Sequence, residues 1–141
     1  MCSSDLDIDV EVYGANTGEM FNAIRQLVRQ MNINVEPASP GSFIPLPSQW
    51  MAQSKFIGRY GTVDGFYFDF YSIALAKIQR GNTRDINDVK LLLQEKVITL
   101  QGLDDAYNEI LPQVGKVPYK KLDPKQFAAS YTAVRKLLQG L

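Results

Sequence analysis

The hydrophobic period of this 141-residue chain changes near residue 71, and that change limits the possible folds more than any other feature. In front of it, residues 5–13 alternate apolar and acidic with period two, the pattern of a strand. Residues 54–61 and 65–70 are rich in aromatics and flank TVDG, which predicts a hairpin. From residue 71 to the end the spacing is helical. YSIALAKIQR is closed by Gly81-Asn82. TRDINDVKLLLQEK has Thr83 as a candidate N-cap, with Ile86, Val89, Leu92 and Leu93 inward. LQGLDDAYNEILPQV holds a third helix. LDPKQFAASYTAVRKLLQG holds a fourth, with Asp123 as cap, Pro124 at the first helical position and Gly140 near the end. One further helix is expected earlier, over residues 17–31, where Met20, Ala23, Ile24, Leu27, Val28 and Met31 recur at helical spacing. Residues 36–48 carry four prolines, a glycine and three serines and read as an irregular connection. The expectation is a single α+β domain, strand-rich over 1–70 and helical over 71–141.

Composition narrows the chemistry. Hydrophobic residues make up 45% and charged residues 21%, a globular balance. No apolar run approaches the ~20 residues that span a bilayer. The acidic N-terminus argues against a secretory signal, and the single Cys2 fits a reducing compartment, so a cytoplasmic location is expected. Histidine is absent, which excludes Ser–His and Cys–His nucleophiles and any imidazole metal ligand. Any catalysis must rest on carboxylates, lysines, hydroxyls and an oxygen-loving metal. Charge is uneven although the net value is zero. Residues 1–20 hold five acids and no base, whereas residues 112–141 hold six cations against Asp123.

The first strand puts Asp5, Asp7, Asp9 and Glu11 on one face, successive members ~6–7 Å apart. Repulsion along that row is offset if two of the carboxylates hold Mg²⁺. The competing reading is a wet edge strand whose charges discourage aggregation. A calcium loop fails, because its glycine and glutamate positions are Val10 and Asn16. On the helix from Phe70, Lys77 falls inside the apolar stripe of Phe70, Ile73, Ala74 and Ile78, where a lysine must snorkel or meet an anion. Arg84 and Asp88 stand at i,i+4 and could pair, and Asp85 suits the helix start. Trp50, Phe66, Tyr67, Phe68, Phe70 and Tyr71 are expected in the core rather than as a base-stacking platform.

SSDLDI resembles the T-x-D-L-D-I element of small nucleotidyltransferase-fold proteins, in which the two acids bind the metal of an NTP. IPLPSQW, FDFYSIALAKIQRG and TRDINDVKLLL are similar to later elements of a bacterial nucleotidyltransferase-like family of unassigned function, itself similar to abortive-infection nucleotidyltransferase toxins. The likeness covers most of residues 3–95. It implies a polymerase-beta-type fold with Asp5 and Asp7 as Mg²⁺ ligands and Lys77 facing the phosphates or supporting the acids. Arg84, Asp85 and Asp88 would form a polar cluster after it. Asp69, then Asp64, are the candidates for a third carboxylate. The implied partners are an NTP, an RNA or protein acceptor, and a cognate antitoxin or a second copy of the chain, with no membrane. The family's glycine-rich element before the acids has no counterpart here, which leaves an inactive binding or regulatory module as the alternative.

Overall fold

The computed structural model describes residues 7–14, 16–32, 34–36 and 38–141; for residues 7, 8 and 34 it describes the backbone alone. The chain divides into two compact units, Met1–Ser42 and Phe43–Leu141.

In the first unit, β1 (Asp7–Asp9) leads into α1 (Thr17–Met31) and returns as β2 (Asn34–Glu36). The two strands are parallel, with Ile8 opposite Val35. A parallel pair needs a crossover, and α1 is that crossover. Its bounds are those the periodicity predicts, and Asn32 ends it in the left-handed conformation at φ 52°. From the end of β1 onward the alternation holds, with Asp9 and Glu11 exposed and Val10 and Val12 half-buried. Among the described residues β1 pairs with β2 alone. No residue of α1 is buried, and Leu27 and Met31 are about half exposed.

The second unit opens with a short helix, α2 (Trp50–Gln53), and an antiparallel hairpin of β3 (Lys55–Tyr60) and β4 (Val63–Tyr67). The turn is Gly61-Thr62, with Gly61 at φ 67°, so Val63 and Asp64 lie in the strand rather than in the turn. The strand ends at Tyr67, and only Phe68 and Asp69 separate it from α3 (Phe70–Arg80). The aromatic residues therefore divide. Phe70 and Tyr71 pack on the core and Trp50 stacks on Phe68 at 4.6 Å, but Phe66 and Tyr67 stand more than half exposed, against expectation. A two-stranded ribbon has no second layer to bury its faces.

The helices α3, α4 (Thr83–Gln94), α5 (Leu100–Ile110) and α6 (Pro124–Gln139) build the core. α3 packs against the other three, which is why Ala74, Leu75, Ala76 and Ile78 are all buried. Ile44, from the proline-rich segment, is fully buried with them. Among the described residues no helix is long and apolar enough to cross a membrane. The architecture is α+β and mostly helical.

Two side-chain latches hold α5. Tyr71 Oη accepts the Thr99 N–H at 3.2 Å, and a Cβ on Gly102 would run into that ring, so glycine permits the approach of α3 to α5. On the other side Asp104 accepts two hydrogen bonds from Arg135, at 2.9 and 3.0 Å, and one from the Tyr131 hydroxyl. The Arg135 hydrogen bonds hold the Asp104 carboxyl below its ordinary 3.8, and burial pushes the Tyr131 phenol above its ordinary 10.0. A depressed carboxylate contributes stability that is present above 3.8 and lost as pH falls through the folded value. A raised phenol contributes stability that is present below 10.0 and lost as pH rises beyond it. Stability should therefore fall on both sides, with Asp104→Asn flattening the acid limb and Tyr131→Phe the alkaline one. Urea titrations across pH check both limbs.

Candidate functional site

α3 and α4 are joined by a tight connection whose chemistry is local. Gly81 adopts φ 71° and its N–H closes α3 onto the Lys77 carbonyl. Asn82, not Thr83, is the N-cap of α4. Its carboxamide oxygen accepts the Asp85 N–H at 2.8 Å while its Nδ2 donates to Asp85 Oδ2 at 2.8 Å. Asn-x-x-Asp thus closes a reciprocal cap at the helix start, where the macrodipole also favours the carboxylate.

That cap aims Asp85 back at α3. Lys77 Nζ donates to Asp88 Oδ2 at 2.8 Å and to Asp85 Oδ1 at 3.3 Å. Arg80 Nη2 donates to the same Asp85 oxygen at 2.9 Å, and its guanidinium lies 5.1 Å from the Phe43 ring centre. The Asp85 side chain is 6% exposed, Lys77 21%, Arg80 34% and Asp88 47%. Burial thus falls outward across the cluster. Asp85 sits at its bottom with two cations over it, and Asp88 meets water. The expected encounter of Lys77 with an anion is met by Asp88. An ammonium has three N–H donors, so this pairing leaves one for a further acceptor.

The other predicted residues fall elsewhere. Arg84 is exposed and makes no ion pair among the described residues; the partner of Asp88 is Lys77, across two helices, rather than Arg84 on its own. Asp69 lies past the end of β4, not on the aromatic strand. It is the N-cap of α3, 1% exposed. Its oxygens accept from the Tyr71 N–H at 3.2 Å, the Ser72 N–H at 3.2 Å and Ser72 Oγ at 2.7 Å. Those three bonds satisfy a buried carboxylate without a metal. Asp64 is held by Arg59 at 2.6 and 3.0 Å on the exposed hairpin, and that pairing lowers its pKa. Asp5 lies outside the described residues, and Asp7 is described by its backbone alone. Among the described residues no three acidic or thiol side chains gather where a metal could sit.

Arg80 and Asn82 are the members of the cluster that sequence reading missed. The signal for Asn82 was its i,i+3 spacing to Asp85. Arg80 stands one turn after Lys77 and so faces the same neighbour. No protein-family model, curated protein or solved structure matches this chain.

Proposed function

We propose that the chain is a nucleotidyltransferase-fold protein that binds a magnesium–NTP complex and passes the nucleotide to a hydroxyl of an RNA or protein acceptor, as one component of a toxin–antitoxin pair. What supports the reading is the Lys77 cluster: a lysine inside an apolar stripe, held between Asp85 and Asp88, in the order of elements that the resemblance implies. Asp5 and Asp7 are the residues that would hold Mg²⁺, whose chemistry is to neutralise phosphate charge and align the donor. On the resemblance, Lys77 would face the phosphates with its one remaining N–H, while Asp85 and Asp88 orient the ammonium.

One observation favours a second reading, a non-catalytic module with the same fold. The cations of the cluster are already matched by Asp85 and Asp88, and both candidates for a third carboxylate are engaged, Asp69 as a cap and Asp64 with Arg59.

Thermal melting with Mg²⁺ and each of the four NTPs separates them. A ligand at ~100 times its Kd adds about 2.7 kcal/mol, which for a chain of this size is a rise of roughly 5–10 °C. Asp7→Asn should abolish that rise while leaving the unliganded protein as stable or slightly more so, since a like charge is removed from the row. Lys77→Met should weaken the response. No rise with any nucleotide selects the non-catalytic module.

A further inference from the structure

We propose that the loop between α5 and α6 is a docking site for the phosphate backbone of a nucleic acid. Lys116, Lys120, Lys121 and Lys125 are all exposed, and none makes an ion pair among the described residues. The one acid in the stretch, Asp123, is engaged locally, accepting the Lys125 N–H at 2.9 Å to cap α6.

The loop is closed at its neck, which turns a sequence run into a surface patch. Gly115 at φ 83° lies so close to Pro124 that a Cβ there would come within 2.9 Å of its Cγ. The Lys116 N–H bonds the Gln113 carbonyl on one side, and the Leu122 N–H bonds the Tyr119 carbonyl on the other. A closed ten-residue loop is at most about 18 Å across. The contact at the neck brings Lys116, in the loop, and Lys125, in the first turn of α6, to its two sides, and Lys120 and Lys121 stand in the loop that it closes.

The residue types choose the partner. Lysine is depleted in protein–protein interfaces, where arginine and aromatic anchors dominate, whereas its compact ammonium suits phosphates as a point charge. A membrane surface would call for an apolar insertion face beside the lysines. Here Val117 is the one large apolar side chain between them that is exposed, while Tyr119 and Leu122 are half-buried. This site does not depend on the nucleotide reading, since it shares no residue with the Lys77 cluster or with the acidic strand.

Fluorescence anisotropy of the full chain with a labelled 20-nucleotide single-stranded RNA tests it. Four phosphate contacts give a log–log salt slope of about −3, so binding should weaken roughly 60-fold between 50 and 200 mM salt. Lys120→Glu with Lys121→Glu should weaken binding at least tenfold and halve the slope, with the melting temperature unchanged because both side chains are exposed. Lys55→Glu with Lys96→Glu, the same change in net charge elsewhere, should leave most of the binding. Asp7→Asn should leave RNA binding intact even if it abolishes any response to Mg²⁺–NTP. The proposal is overturned if no RNA binds at 50 mM salt, or if both double variants lose binding equally. It is also overturned if vesicles of phosphatidylcholine with phosphatidylserine compete the RNA off.

Discussion

Asp85→Ala should destabilise the second unit by about 2–4 kcal/mol, a large fraction of the roughly 5–15 kcal/mol that holds a domain of this size. The Asp85 carboxylate is 6% exposed and accepts from Lys77, Arg80 and Asn82. Alanine removes all three bonds: Arg80 loses its ion pair, Asn82 Nδ2 loses its acceptor and Lys77 keeps Asp88 alone, and the penalty comes mainly from the unpaired Arg80 charge beside the half-buried site. Asp85→Asn should cost less, because it keeps the shape and an acceptor oxygen while losing the charge. Adding Lys77→Met to Asp85→Ala should recover part of the loss, since an apolar chain at Lys77 continues the stripe of Ala74 and Ile78. Urea denaturation followed by the fluorescence of Trp50, the one tryptophan, reports on the second unit. Equal stability of Asp85→Ala and the parent would mean that the ion pairs are surface decoration.

Phe127→Ala should cost about 3–5 kcal/mol, the range for deleting a buried ring from a core that cannot collapse around the space. Phe127 is 2% exposed and packs on Tyr107 with ring centres 5.5 Å apart, while Tyr107 stacks on Tyr131 at 3.7 Å. The three rings tie α5 to α6, so the loss extends beyond one contact. Phe127→Leu should cost much less because it retains most of the volume. The same urea titration measures both, and an unchanged m-value shows that the loss is one of stability rather than of a changed denatured state.

The helices were legible in the sequence because their signals are local. Asp123 and Pro124 open α6, Gly81 closes α3, and residues 17–31 form α1 to the residue. Each cap is a contact between residues two to four apart, so a linear reading contains both partners. The strands were less legible. β2 is three residues long and is defined by its pairing with β1 across a whole helix, and no local period marks it. The hairpin was foreseen, but its turn was placed two residues late, since Val63 and Asp64 take strand positions from their partners Tyr60 and Arg59.

The candidate site divides in the same way. By itself the sequence determined that Lys77 must either snorkel or find an anion, because the 3.6-residue period puts it among apolar neighbours and an unpaired ammonium there is costly. It also determined, through the absence of histidine, that any catalysis here rests on carboxylates, lysines, hydroxyls and an oxygen-loving metal. Which anion Lys77 meets was decided by tertiary structure alone: the turn at Gly81-Asn82 folds α4 against α3 and brings Asp88 to 2.8 Å across eleven residues, and among the described residues Arg84 makes no ion pair. Tertiary structure likewise made Asp69 a buried cap and left Phe66 and Tyr67 in water. Periodicity fixes the side of an element on which a residue stands, and only packing determines what stands opposite it.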